Sequence, residues 1–247
     1  MSNQNVRTGE ELPEIPLKKY LKEINLITSI ESNLYVQQYT HGYSNLTYLL
    51  QIEEKEFVLR KPPKGAIKRG HDMRREFNVQ SAVSKAFSKV PKMFGFSDDE
   101  GVLGSDFYLM EKMEGVILNF KEAKKRNIAV KDYKTIANSW LDTLVALHKV
   151  DYKAIGLGGL GKPEGYIERQ VANWGKQYVK AKTAEVPAAE IVMNWMHEHQ
   201  PKKYDHCLIH NDFKYDNVVF KDDSWQEVAA VLDWEMATIG DPLMDLG

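Results

Sequence analysis

The chain has a single cysteine, Cys207, so it cannot form an internal disulfide. It also lacks any run of about 18 apolar residues, the length a membrane-spanning helix needs. Its first residues, MSNQNVRTGEELPE, have neither the basic stretch nor the apolar core of a secretory leader, and a cytoplasmic location is expected. Neither sign of charge is in excess. Lys and Arg number 33 against 35 Asp and Glu, a net charge of −2, which argues against a basic nucleic-acid binder and an acidic disordered tail. Repeats and low-complexity tracts are also missing. What remains, 43% hydrophobic and 28% charged residues over 247 positions, suffices for one large domain or two small lobes.

The period of the apolar residues changes along the chain. After a polar lead to about Pro16, residues 34–39, 46–52 and 57–60 are short β-branched and aromatic runs broken by turn-forming residues, and they predict an antiparallel meander ended by Pro62-Pro63. Val79, Ala82, Val83, Ala86, Phe87 and Val90 recur at three and four, predicting a helix from about His71 to just before Pro91. Two further strands are expected near 92–96 and 107–113, separated by a Ser-Asp-Asp-Glu-Gly turn. Residues 131–150 carry a long amphipathic helical pattern, followed by helices near 164–181 and 187–199. Short strands around 207–209, 218–220 and 228–232 close the sequence.

The richest chemistry lies in that last part. Leu208-Ile209-His210-Asn211-Asp212-Phe213-Lys214-Tyr215-Asp216-Asn217 contains H-x-D-x-x-x-x-N, and Asp233 stands at the end of the next hydrophobic strand. Phosphoryl transfer from a nucleotide needs little covalent help: a group to take the acceptor's hydroxyl proton, and oxygen ligands that hold Mg²⁺ on the phosphates. Asp212 is a candidate for the first role, Asn217 and Asp233 for the second. Asp and Asn also form turns regardless of function. It is their combination with a strand-terminal aspartate that points to catalysis.

This pattern resembles the catalytic loop and metal-binding aspartate of protein kinases. It is more similar to the aminoglycoside phosphotransferase and choline kinase group of small-molecule kinases, which use H-G-D and D-W. Most similar in wording is the phosphotransferase-like subfamily also found fused to acyl-CoA dehydrogenases. His-Gly-Tyr-Ser-Asn-Leu-Thr-Tyr-Leu-Leu at 41–50, Phe-Val-Leu-Arg-Lys-Pro-Pro at 57–63, the stretch at 159–170 and Trp-Glu-Met-Ala-Thr-Ile-Gly-Asp-Pro-Leu-Met-Asp-Leu at 234–246 carry the likeness over nearly the whole chain.

The resemblance implies Asp212 as catalytic base, Asn217 and Asp233 as metal ligands, His210 as a loop anchor and Lys214 as a phosphate-facing lysine. Asn211 stands where the group usually has Gly, and Asn tolerates the same left-handed backbone better than most side chains. Gly42-Tyr43-Ser44-Asn45 reads physically as a hairpin loop; its glycine and amides could approach phosphate oxygens, or it could be a plain turn. The resemblance favours a nucleotide loop, with Gly42, Ser44 and Asn45 in contact. Arg60 takes the place of the kinase lysine that pairs with a helix glutamate, here Glu76, although the larger guanidinium fork does not simply replace an ammonium. Met110, Glu111 and Met113 fall at the implied hinge, where backbone groups would read the purine, while the two methionine side chains read more readily as core than as cofactor contacts. Asp241-Pro242 reads as a helix start, and the resemblance implies that Asp245 braces the catalytic loop.

Gly156 to Gly161 fits G-x-G-x-x-G literally but follows a helix rather than a strand, and reads as a flexible connection. Gly65 and Gly70 have Walker spacing, yet His71-Asp72 replaces the required Lys-Ser/Thr. His197, His199, His206 and Cys207 match no standard zinc spacing.

The expected fold is therefore α+β and two-lobed, protein-kinase-like, with an antiparallel-sheet N-lobe over 1–112 and a mainly helical C-lobe over 113–247. The expected activity is Mg²⁺-assisted transfer of the γ-phosphoryl group of ATP or GTP to a hydroxyl of a small molecule, without a phosphoenzyme. The fused subfamily favours a hydroxyacyl acceptor. No nucleic-acid or membrane partner is expected, and a fused or partner domain is left open. The resembling family continues through further C-lobe helices, so this C-lobe is expected to be incomplete. A kinase-like module that retains nucleotide without turnover is the alternative; a metal-dependent hydrolase using His210, Asp212 and Asp233 is a third reading.

Overall fold

A computed structural model of the chain describes residues 3–39, 45–66 and 72–246. The first half comprises β1 (Asn3–Gln4), α1 (Glu14–Glu23), β2 (Tyr35–Tyr39), β3 (Leu46–Ile52), β4 (Lys55–Lys61), α2 (Met73–Val83), β5 (Met93–Ser97), α3 (Glu100–Leu103) and β6 (Phe107–Glu111). Its strands form one six-stranded sheet in the order β1-β2-β3-β4-β6-β5, every pairing antiparallel. Side chains alternate across a strand, and the two faces of this sheet bury different partners. Leu50, Leu59 and Leu109 pack with Leu17 and Leu21 of α1, while Val58, Tyr108 and Met110 pack with Met73 of α2.

The β3–β4 hairpin pairs Ile52 with Lys55, so Glu53 and Glu54 alone make the turn, at φ 50° and 60°. Left-handed backbone is costly for such side chains. Glu53 is held there because its carboxylate accepts from the Thr28 amide (2.9 Å), the Ser29 amide (2.9 Å), the Thr28 hydroxyl (2.8 Å) and the Ser32 hydroxyl (2.7 Å). These donors hold its pKa down to about 2, the Thr28 and Ser29 amides contributing most.

The second half runs through β7 (Val116–Ile117), α4 (Phe120–Arg126), α5 (Val130–His148), α6 (Tyr166–Ala181), α7 (Pro187–Glu198), β8 (Cys207–Ile209), β9 (Val218–Phe220), β10 (Val228–Val231) and β11 (Thr238–Gly240). Short 3-10 turns occupy Tyr215–Asn217, Trp234–Met236 and Pro242–Asp245. β7, β9 and β10 form one small sheet, β8 and β11 another. Gly115, at φ 139°, enters β7 so close to β9 that a Cβ would lie 2.2 Å from the Phe220 carbonyl oxygen. Leu144 and Leu147 of α5, Phe220, Val231 and Trp234 share one core with Val79 and Val83 of α2. That helix therefore belongs to the packing of both halves. Among the described residues, no helix is long and apolar enough to cross a membrane.

Several expectations need correction. The sequence reading places no element before residue 34, yet α1 spans Glu14–Glu23 and buries Leu17 and Leu21 one turn apart. The helix expected from His71 to Val90 is α2, which starts after its cap Asp72, whose side chain accepts from the Arg75 amide at 2.8 Å, and stops at Val83. Phe87 and Val90 still enter the core from the turns that follow, which is why their spacing imitated a longer helix. The strand expected over 107–113 ends at Glu111. Gly161 is not part of a loose connection: a Cβ there would sit 2.5 Å from Thr238 Oγ1.

Candidate active site

The turn after β8 is set by one buried carboxylate. Asp241 caps the last 3-10 turn by accepting from the Leu243 amide at 2.8 Å, with Pro242 at its first position, and this presents Asp245 to the segment after β8. Asp245 Oδ2 accepts from the His210 amide at 2.9 Å, and Oδ1 from the Asn211 amide at 2.6 Å. His148 Nε2 lies 2.9 Å from Oδ2. Asn211 adopts φ 63°, the left-handed conformation the sequence suggested for it.

His210 is fully buried, and burial lowers its pKa. Its Nδ1 accepts from the Asp212 amide at 3.3 Å, which leaves Nε2 to donate to the Leu232 carbonyl at 3.0 Å. The ring thus ties the turn carrying Asp212 to the residue before Asp233.

Asp212, Lys214 and Asn217 meet in this turn. Asp212 Oδ2 accepts from Lys214 Nζ and from Asn217 Nδ2, both at 2.8 Å. The Asp212 hydrogen bond raises the Lys214 pKa, although that side chain is otherwise exposed. Asn217, buried, gives its second amide hydrogen to the Asp212 carbonyl at 2.9 Å. The Leu232 amide donates to the Asn217 carbonyl at 2.8 Å, placing Asp233 beside Asn217.

Asp233 has φ 69° and ψ 65°, a strained state that costs about 1–3 kcal/mol and persists only where its surroundings over-determine it. Part of that constraint comes from the sheet. Arg60, near the end of β4, donates Nη1 and Nη2 to Asp233 Oδ1 at 3.1 and 3.0 Å, and Nη1 also meets Glu76 Oε1 at 2.6 Å. Arg60 is 8% exposed and Glu76 1%. Burial works against the Arg60 charge, but Glu76, Tyr108 and Asp233 outweigh it and hold the guanidinium firmly protonated. Burial pushes the Glu76 carboxyl up, against the pull of Arg60. Arg60 Nε is buried without a partner.

The remaining sequence-derived candidates are placed as follows. Gly42 and Ser44 lie outside the described residues. Asn45 is buried and donates Nδ2 to Glu235 Oε2 at 3.2 Å, joining the loop before β3 to the segment after Asp233. Met110 is a core side chain beside Val58 and Tyr108. The Glu111 amide is committed to the Lys92 carbonyl at 2.8 Å, and Met113 follows, half-buried. Lys112 bridges Glu56 and Glu114, tying this connection to β4.

Sequence reading missed Arg75, Glu235 and Tyr166. Arg75 is hidden in Arg74-Arg75-Glu76, and only its position on the helix separates it from its solvent-facing neighbour. Tyr166, at the start of α6, has its hydroxyl 3.4 Å from the Asn211 side chain.

Among the described residues, no group of three or more His, Cys, Asp or Glu side chains is placed to hold a metal ion. The donor set at hand is one carboxylate and one carboxamide. Both Asn217 amide hydrogens face Asp212, so its Oδ1 remains for a cation; Asp233 Oδ2 remains while Oδ1 serves Arg60. Hard oxygen donors of this number suit Mg²⁺, which takes its other ligands from phosphates and water.

Comparison with known proteins shows the family and the fold. Over 242 residues the chain is 36% identical to acyl-CoA dehydrogenase family member 10 of Mus musculus, covering 98% of this chain and 22% of that protein. Over 218 residues it is 37% identical to acyl-CoA dehydrogenase family member 11 of Homo sapiens, covering 87% of this chain and 28% of that one. The chain thus spans about a quarter of the length of these relatives. A solved Ralstonia eutropha structure assigned to the aminoglycoside phosphotransferases superposes with a TM-score of 0.82 at 31% identity, over 96% of this chain and 68% of that one. The streptomycin–ATP ternary complex of APH(2″)-IIa shares the fold at a TM-score of 0.60 and 18% identity, over 92% of this chain and 72% of its own. The fold is accordingly α+β and kinase-like. The sequence model of the phosphotransferase enzyme family matches residues 36–247, and the chain belongs to that family.

Proposed function

We propose that this phosphotransferase moves the γ-phosphoryl group of ATP or GTP to a hydroxyl of a small molecule, with Asp212 as the base. The observation that carries the reading is the continuous set of contacts from Glu76 through Arg60 to Asp233, and from Asp233 through the Leu232–Asn217 backbone bond to Asp212. Asp212 Oδ2 already accepts two hydrogen bonds, so Oδ1 is the oxygen free to take the acceptor proton. The acceptor oxygen attacks the γ-phosphorus and the bond to the β–γ bridging oxygen breaks. The proton passes to Asp212, and the nucleoside diphosphate leaves. Lys214, held against Asp212, would face the transferring phosphoryl group. Asn217 Oδ1 and Asp233 would hold Mg²⁺, which when bound offsets the charge that develops on the phosphate oxygens. Asn45, with Gly42 and Ser44, would border the phosphates, and the backbone between Met110 and Met113 the purine. The lobes would divide at residues 112 and 113.

For the acceptor, a hydroxyacyl compound is favoured because two relatives carry acyl-CoA dehydrogenase names. A cytoplasmic location remains part of the proposal. The test is a nucleotide-consumption assay with ATP and GTP, with and without Mg²⁺, across hydroxyacyl, sugar, choline and aminoglycoside acceptors. Acceptor- and Mg²⁺-dependent consumption supports the reading. One observation favours a non-catalytic nucleotide-binding module instead: both terminal nitrogens of Arg60 hold Asp233. Nucleotide binding with no consumption on any acceptor would select that reading.

A further inference from the structure

Two neighbouring residues of α2 grip the loop that carries Asp233. Glu76 reaches the aspartate through Arg60. Arg75 bypasses the side chain and takes the backbone: Nη1 donates to the Glu235 carbonyl at 2.8 Å, and Nη2 to the Ala237 carbonyl at 2.5 Å. A planar guanidinium holds two carbonyls on two nitrogens of a rigid fork, a geometry that a compact ammonium on a flexible stem does not fix. The side before Asp233 is fastened elsewhere, to the catalytic segment, with Leu232 bonded to Asn217 through its amide and to His210 through its carbonyl. Asp233 therefore lies between ties to the catalytic turn on one side and ties to α2 on the other, in a left-handed conformation that neither set alone would fix. The Glu235 side chain extends the same connection to Asn45.

We propose that Arg75 is a positioning residue: by fastening the residues after Asp233 to α2, it sets the aim of that carboxylate at the divalent cation and couples the placement of α2 to cation-assisted nucleotide binding. This rests on the phosphotransferase reading above. A merely structural arginine would stabilise the fold without distinguishing nucleotide bound with the cation from nucleotide bound without it.

The experiment is calorimetric titration with a non-hydrolysable ATP or GTP analogue, with and without Mg²⁺, on the wild type, Arg75→Met and Arg75→Lys, using the full chain. The expected result is unchanged affinity without Mg²⁺ in all three and, in Arg75→Met, an Mg²⁺ enhancement reduced about tenfold, as for a typical coupling between sites. Arg75→Lys, which retains the charge and one bond, should fall between. Amide exchange at 234–237 should quicken in the same order. An enhancement equal to that of the wild type in Arg75→Met overturns the proposal, as does an equal loss of affinity with and without Mg²⁺. If Arg75→Met does not fold, Arg75→Lys decides, and wild-type enhancement there overturns it. A wild type that binds nucleotide without any Mg²⁺ effect refutes the phosphotransferase reading itself, which separates the two failures.

Discussion

Asn217 donates its side-chain amide to Asp212 twice, to the carboxylate at 2.8 Å and to the backbone carbonyl at 2.9 Å. One residue thereby orients the base and turns its own Oδ1 away from it. The two halves of the proposed chemistry, proton removal and cation binding, share this side chain.

Replacing Asp212 with Asn keeps the shape of the turn and removes the proton acceptor. The expected loss in kcat is roughly 10²–10⁴-fold, about 2.7–5.4 kcal/mol of barrier. Nucleotide affinity should change little, because the role proposed for Asp212 is toward the acceptor rather than the purine or phosphates. Steady-state kinetics with a separate binding titration checks both halves, and near-wild-type turnover would remove the base assignment.

Asp233→Asn preserves an oxygen for Arg60 but removes the one negative charge that Arg60 and the proposed cation would share. Nucleotide binding in Mg²⁺ is expected to weaken while cation-free binding is retained. Loss of both to the same extent would mean that Asp233 holds the fold rather than the cation.

The Arg60–Glu76 pair is buried, and Glu76 is the partner with no second cation among the described residues, since Arg60 also holds Asp233. Arg60→Met should destabilise the protein by about 3–5 kcal/mol, and the double variant Arg60→Met, Glu76→Leu should recover much of that loss in stability though not in activity. Denaturant unfolding measures each. If the double variant is no more stable than Arg60→Met, the loss lies in packing and not in the stranded charge.

Glu53 provides a pH test outside the site. Its folded pKa of about 2 lies below the ordinary 4.5, so the folded state binds its proton less readily than the unfolded chain. The stabilisation from its turn is complete above about pH 4.5 and disappears as pH falls through about 2. Wild type should exceed Glu53→Gln in stability at neutral pH, with the gap narrowing across that window. A gap that is constant from pH 7 to pH 2 would contradict the assignment.

Much of this was legible from residue pattern. The strands Leu46–Ile52, Cys207–Ile209 and Val218–Phe220 followed from apolar runs and turn residues, and the pairing of Arg60 with Glu76 from the family resemblance. The missed pieces share a cause. α1 hides its two buried leucines among lysines and glutamates, and β11, Thr-Ile-Gly, offers one large apolar side chain where Cys207–Ile209 and Val218–Phe220 are apolar throughout. Arg75 looks like its exposed neighbour Arg74 until the loop that it holds is brought to it by a chain separation of 160 residues. Local pattern reports which face is apolar; it does not report which distant carbonyl a surface arginine will find.

The Arg60–Asp233 contact joins residues 173 positions apart, while Asp212, Asn217 and Asp233 come from one short stretch near the chain's end. Closing so long a loop is slow compared with local pairing. During refolding the catalytic turn can therefore acquire its hydrogen bonds well before the guanidinium arrives. Nucleotide capture would then lag behind the recovery of helical signal, and the ties from Arg60, Arg75 and Asn45 to residues 233–237 would together mark the final docking of the sheet.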